Sequence, residues 1–293
     1  MKKLVSIFLL LIILSKITFS QTESLLDSLE DNTPTTQKIT GAFKSTRVIN
    51  AHSIEMLTKG NMDFRILHRF GNVSDGIKQL FGLDAASMRM SFDFGILNCL
   101  TIGVGRSTNR KELDAFIKAR IVQQSSGAVN TPVTFVVAAG YTVVAEQLAA
   151  PQKRSIVDRS AYYVQTIIGR KFNSKFSMQL SPIFVRSNFP FNLTDDQNII
   201  GLGGGIRYKI TKRTALMLDY HKPIGNLTNA TAPLSLGVDI ETGGHVFQLH
   251  FSNSLGMNER AYLTQTTGNF FKGDIRFGFN LSRMFRVGRR PKL

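Results

Sequence analysis

The run HFSN, His250 to Asn253, holds the residue types that could do covalent chemistry. A histidine and a serine two residues apart share one face of an extended chain. There the imidazole could take the serine proton as general base while the hydroxyl attacks an acyl carbon. Asn253 or Glu259 would then have to orient the ring of His250. Direction argues against this chemistry on a lipid. Phe247, Leu249 and Phe251 hold the opposite face, so if that face meets hydrocarbon, His250 and Ser252 point inward. A second run, GLGGGIR from Gly201 to Arg207, has the glycines of a phosphate loop without the GxxxxGKS/T spacing. It lies inside an alternating segment, so Gly201, Gly203 and Gly205 read as a smooth inward stripe that a loop or side chain can approach. His52, His68, His221, His245 and His250 show neither HExxH nor paired metal spacing, and Cys99 is the single cysteine. Neither a metal nor a cofactor is expected.

The segments that carry these residues alternate with a period of two. In RMSFDFGILNCLTIGVGRS, Met90, Phe92, Phe94 and Ile96 oppose Arg89, Ser91, Asp93 and Gly95. After the turn at Leu97-Asn98 the pattern resumes with Leu100, Ile102 and Val104 on one side. The polar faces gather a charged set: Asp63, Arg65, Arg69, Arg89, Asp93, Lys118, Arg120, Arg207, Asp219, His221, His250, Asp274 and Arg276. A soluble sandwich core would not hold such charges, nor would its solvent face be Phe, Ile, Leu and Met throughout. The alternation therefore places lipid outside and a polar lumen inside.

The chain ends support export. MKKLVSIFLLLIILSKITFSQ carries Lys2 and Lys3, an apolar run from Leu4 to Leu14, and Thr18 and Ser20 spaced as a cleavage site before Gln21. This reads as a secretory signal peptide over residues 1–20, too short to span a bilayer. No later segment has the apolar length of a membrane helix, so any membrane crossing is by strands. The net charge of +16 falls to +13 when Lys2, Lys3 and Lys16 leave with the signal. On an exported protein such charge points to anionic lipids or solutes, not nucleic acid. The expected partners are outer-membrane lipids, lipopolysaccharide included, and an envelope protein.

Residues 21–46 read as a polar lead-in, 47–285 as the barrel and 286–293 as a basic tail. Twelve segments can be drawn: 47–57, 61–71, 87–96, 99–107, 111–123, 131–146, 158–172, 175–187, 198–210, 213–222, 245–254 and 273–284. Their lengths suit tilted membrane strands. The fold class is an all-β, antiparallel transmembrane β-barrel of twelve strands, within a range of ten to fourteen. Strand parity raises a difficulty. Short turns should face the periplasm and long loops the exterior, yet with both ends periplasmic the first, short connection would face outward. Either Lys38 to Phe43 and Arg260 to Gln265 supply two more strands, or the N-terminal segment reaches the first strand through the lumen. The loop 72–86 carries SDGIKQLFG, where Ser74 or Asp75 could cap a short amphipathic helix.

FKSTRVINAHSIEM, FRILHRFG, LFGLDAASMRMSFDFGI, LTIGVGRS, HVFQLHFSNS and GDIRFGFNLSRMF together resemble an uncharacterised family of outer-membrane β-barrel proteins of Gram-negative bacteria, over about Phe43 to Phe285. The resemblance implies a barrel and brings no catalytic residues. HFSN is also similar to the motif of outer-membrane phospholipases and lipid A deacylases, which keeps a hydrolase using His250 and Ser252 as the alternative. The leading expectation is a non-enzymatic, porin-like barrel, either a scaffold or a narrow conduit, with a charged and partly closed lumen.

Overall fold

Alternating segments hide one face when their sheet closes on itself, and this sheet closes. The computed structural model describes residues 35–147, 154–192 and 194–287. The barrel strands are β1 Asn61–Asn72, β2 Ala86–Leu97, β3 Leu100–Ser107, β4 Glu112–Val122, β5 Thr134–Val144 and β6 Ser160–Lys171. They continue as β7 in two pieces, Phe176–Leu180 and Ile183–Ser187, then β8 Asn198–Lys209, β9 Thr214–Ile224, β10 Leu234–Thr242, β11 His245–Ser252 and β12 Arg276–Arg286. The sheet has thirteen hydrogen-bonded pieces because β7 breaks at Ser181 and Pro182, where proline lacks an N–H. Both halves pair with β6 and with β8, so twelve strands span the wall. β12 pairs back onto β1, with Phe279 opposite His68 and Arg286 opposite Asn61, and no edge is left open.

The two faces divide as alternation requires. Phe92, Ile102, Val104, Ile117, Leu249 and Phe251 are exposed on the outside, while Asp63, Arg65, Arg89, Asp93 and Lys118 are buried inside. The inner wall is not polar all round. Val136, Ala138, Tyr163, Ile167, Ile183, Val185, Ile199 and Met217 give β5 to β9 an apolar inner side opposite the charged side of β1 to β4.

One end of the barrel carries the turns 98–99, 123–133, 172–175, 210–213 and 243–244; the other carries the connections 73–85, 108–111, 145–159, 188–197, 225–233 and 253–275. Residues 47–57, expected as the first strand, are not in the sheet, and the strand that the twelve expected segments omit is β10. One loss and one gain leave the count at twelve and resolve the parity: the first connection after β1 is the long 73–85. Neither proposed extra strand spans the wall. Thr36–Lys38 pairs with Ser125–Gly127 beside the short-turn end, and Glu259–Thr264 forms a helix, α1. In the loop after β1, Val73–Asp75 and Ile77–Gly82 form short 3-10 turns whose first residues lack a side-chain cap, so the expected helix capped by Ser74 or Asp75 does not form. The expected signal peptide, residues 21–34 of the lead-in and residues 288–293 of the tail lie outside the described residues.

Candidate functional site: the plugged lumen

RVINAH makes a tight hairpin instead of a strand. Arg47 bridges His52, Val48 N–H donates to Ala51 O at 2.8 Å and Ser53 N–H to Thr46 O at 3.0 Å. The turn points the N–H groups of Ile49, Asn50 and Ala51 one way, a concavity suited to an anion. Its occupant is Asp219 of β9. Asp219 Oδ2 accepts from all three, at 3.2, 2.7 and 3.0 Å. The hairpin enters at the short-turn end, where Ile39 N–H bonds Gln124 O, and leaves by the same end, where Lys59 N–H bonds Asn98 Oδ1.

The wall meets the rest of its backbone. Gln179 accepts from Ile54 N–H and donates to His52 O at 2.7 Å. Lys118 Nζ donates to the carbonyls of Thr46 and Glu55, and Asn280 Nδ2 to Ile49 O. Arg69 Nη2 donates to Asn50 Oδ1 at 2.8 Å, and Arg65 Nη2 to Thr46 Oγ1 at 2.7 Å. The apolar hairpin residues Val48, Ile49 and Ile54 pack with Val136, Ile167 and Met217 of the apolar wall. Gly205 permits the approach: a Cβ there would lie 2.7 Å from both Val48 methyls.

A second segment fills the other half. From Asn253 the last long connection turns into the barrel, and all of α1 is buried, with Asn258 capping it by accepting from Ala261 N–H. Leu263 lies over Gly201, where a Cβ would meet its methyl at 2.7 Å. The two inserts meet at an ion pair, Arg47 Nη1 to Glu259 Oε1 at 2.7 Å, both side chains nearly solvent-free. His52 Nε2 lies 3.0 Å from Tyr163 Oη and 3.3 Å from the same Glu259 oxygen. Burial, then the neighbouring Arg47 and Lys118, holds the His52 imidazole well below its usual pKa, so this contact is dipolar and Glu259 is neutralised by Arg47.

Most of the predicted lumen residues are pinned by partners. Arg65 pairs Asp63, Arg89 pairs Asp114, Arg207 pairs Glu241, and Arg260 of α1 pairs Glu112. Buried charge of this kind persists only when paired and hydrogen-bonded. Asp93, His221 and His250 also lie buried inside. Arg120, Asp274 and Arg276 sit at the rims instead: Arg120 bonds Asn98 O in a turn, Arg276 bonds Phe70 O, and Asp274 accepts from Asn269 N–H. At the short-turn mouth a vestibule of about 100 Å³ is lined by Lys44, Thr46, Glu55, Asp63 and Ser282.

The hydrolase set does not assemble. Ser252 Oγ accepts from Ser235 Oγ, both ring nitrogens of His250 lack a partner among the described residues, Asn253 ties the backbone of Leu234 at the start of β10 to that of Gly268 in the last long connection, and Glu259 is engaged by Arg47. A different line of residues has the order of a nucleophile, base and acid: Ser181 Oγ is 3.0 Å from His221 Nε2, whose Nδ1 is 3.3 Å from Asp219 Oδ1. All three are at most 2% exposed beneath the hairpin, so a substrate has no path to Ser181 in this state. The line braces the carboxylate that holds the hairpin. Reading the sequence missed the hairpin residues Arg47, Asn50 and His52 and the wall residues Gln179, Asn280 and Gln248 that bond the hairpin, the last by donating from Nε2 to Val48 O. The available signal was the poor alternation of RVINAHSIEML beside a parity that did not close.

A closed antiparallel barrel with an apolar exterior and a filled, charged interior defines a membrane β-barrel protein. The chain belongs to the family described as a membrane bound beta barrel domain (DUF5777), whose model matches residues 43–285. The match begins at Phe43 and so takes in the hairpin as well as the wall. Among solved structures, an outer membrane channel from Pseudomonas putida F1 is 13% identical with a TM-score of 0.50, over 80% of this chain and 98% of that one. The KdgM porin is 11% identical with a TM-score of 0.44, over 77% and 99% of the two chains. The NanC porin is 8% identical with a TM-score of 0.44, over 76% and 98%. At 13% identity, the likeness to the channel shows a shared fold alone. No curated protein matches the sequence.

Proposed function

We propose that the protein is an outer-membrane conduit of porin-like type that rests closed, its lumen filled from the periplasmic end by the hairpin and from the outer end by α1. The observation that carries this reading is the convergence of three hairpin N–H groups on the single carboxylate of Asp219. A wall built only as a scaffold can fill its lumen with its own side chains. Here the filler is a separate piece of chain that enters and leaves by one end, so it can be withdrawn without breaking a wall strand. The short-turn end then faces the periplasm and the long-loop end the exterior, as in barrels of this kind. Its apolar belt contacts outer-membrane lipid, lipopolysaccharide on the outer side, and no chemical step is assigned to the lumen.

Conductance in planar bilayers tests the reading. The wild type should be nearly silent, and Asp219→Ala combined with Glu112→Ala, which removes the acceptor of the hairpin N–H groups and the carboxylate that holds Asn258 and Arg260 of the α1 segment, should show stepwise ion currents. If both inserts are released in that variant and the barrel still carries no current, the conduit reading fails and the barrel is a scaffold.

A further inference from the structure

Outside the plugged lumen, unpaired basic charge gathers at the short-turn end of the wall. Lys59, Lys175, Lys212 and Arg213 lie exposed in or beside its turns. The acids near that end are turned away from them. Asp63 and Asp239 are buried in the lumen, Glu241 is held there by Arg207 and Lys44, and Glu55 lies on the returning limb of the hairpin. Among the described residues no acid faces outward at this end. On two strands the lipid face itself finishes in a cation. Gly169 of β6 faces inward, where a Cβ would meet Ile54 of the hairpin, so Ile168 and Arg170 face outward. In β12 the buried Asn280 and Ser282 put Leu281 and Arg283 on the outer face. Each arginine lies over the phenylalanine two residues on: Arg170 Cζ is 5.3 Å from the Phe172 centroid and Arg283 Cζ 4.9 Å from that of Phe285. The same apolar, Arg, Phe step thus closes two strands that run in one direction, six places apart in the closed sheet. Arg170 Nε is buried and has no partner among the described residues.

We propose that Arg170 with Phe172, and Arg283 with Phe285, bind the phosphate of an anionic phospholipid. A cation on the lipid side is stable only where the hydrocarbon ends, so both arginines stand at the interface. The ring beneath each holds it without cancelling its charge. What answers that charge at this depth is a lipid phosphate, with the acyl chains lying along Ile168 or Leu281 on the apolar face. Phosphatidylglycerol offers an uncompensated phosphate, whereas phosphatidylethanolamine carries its own ammonium beside it. A soluble acidic partner could meet the lysines of the turns but not guanidinium groups on the lipid face. That this end faces the periplasm, and the lipid therefore belongs to the inner leaflet, rests on the reading proposed above.

The chain has no tryptophan, so a single introduced indole reports on the lipid beside it. Leu281→Trp and Ile168→Trp set one next to each arginine. Phe277→Trp sets one on the same face of β12 at the long-loop end, where Asp75 and Asp274 neighbour Arg276. Each full-length variant is folded into vesicles of phosphatidylethanolamine and phosphatidylglycerol, both lipids in both leaflets, with one or the other brominated in its acyl chains. Quenching at positions 281 and 168 should favour phosphatidylglycerol by about fivefold, and at position 277 by less than about twofold. Adding Arg283→Gln or Arg170→Gln should abolish the preference on its own strand alone. Heat-modifiable gel mobility confirms folding, and the comparison of 281 with 277 needs no arginine variant. The proposal is overturned if the two lipids quench alike at 281 or at 168, if 277 shows the same preference, or if the arginine variants keep it. A chain outside the bilayer would be quenched by neither lipid and would refute the membrane reading instead. No current is measured, so the closed-conduit reading is left to its own test.

Discussion

Asp219→Asn isolates the charge that holds the hairpin, because it keeps the shape of the side chain. In the wild type, Oδ2 takes the N–H groups of Ile49, Asn50 and Ala51, and Oδ1 lies 3.3 Å from His221 Nδ1. The amide can still turn its oxygen to the hairpin. Its NH2 then faces His221, whose ring can switch tautomer so that Nδ1 accepts and Nε2 donates to Ser181 Oγ. What is lost is the ionisation of the acceptor. A hydrogen bond to an ionised group contributes ~1.5–3 kcal/mol and one between neutral groups ~0.5–1.5, so three weakened bonds cost about 3 kcal/mol. That moves the docking equilibrium roughly 10²-fold toward the released hairpin. The assay is maleimide labelling of Ala51→Cys in a Cys99→Ser background, since position 51 is fully buried when the hairpin is docked. The labelling rate should rise by about 10² when Asp219→Asn is added, provided opening and closing are fast relative to labelling. A rise of less than about threefold in a barrel that keeps its heat-modifiable mobility would refute the role given to the carboxylate.

Gly205→Val should release the hairpin without changing any charge, because its Cβ would press on Val48 at 2.7 Å; unchanged labelling at position 51 would show that Val48 is not seated there. Leu249→Arg sets a cation on the lipid face and should cost ~2–4 kcal/mol in urea unfolding from vesicles. Ser252→Ala should cost about 1 kcal/mol or less and release no less fatty acid from phospholipid than the wild type, and loss of a measurable lipase activity there would restore the hydrolase alternative. Acid should loosen the plug through His52, which is neutral when docked because burial and then Arg47 hold its pKa well below 6.5. Released, it titrates near its ordinary value. Its contribution is therefore intact above about pH 6.5 and weakens by about 1.4 kcal/mol per unit as pH falls below that. Burial raises the Glu55 carboxyl pKa, so the docked state takes up a proton there and acid favours docking through that group. The discriminating quantity is the difference between wild type and His52→Gln: labelling at position 51 from pH 7.5 to pH 5 should rise less steeply in the variant, and equal slopes would remove His52 from the linkage.

The sequence by itself determined the wall. Successive Cβ atoms of a strand point to opposite sides, so the lipid face of Leu249 and the inward face of Arg89 are properties of a few neighbouring residues. The inward glycine stripe was legible for the same reason, and Gly201 and Gly205 do lie beneath Leu263 and Val48. Even β10 was there to be read: Leu234, Leu236, Val238 and Ile240 alternate with Ser235, Gly237, Asp239 and Glu241. Its omission offset the false strand at 47–57, so the count of twelve came out right although two segments were misplaced. What fills the lumen was decided only by the tertiary structure. Asn50 meets Asp219 across 169 residues and Arg47 meets Glu259 across 212. No local period encodes such pairings: an inward charge on a strand looks the same in sequence whether it faces water or a folded-in hairpin, and the closing of the barrel is what brings the partner to it.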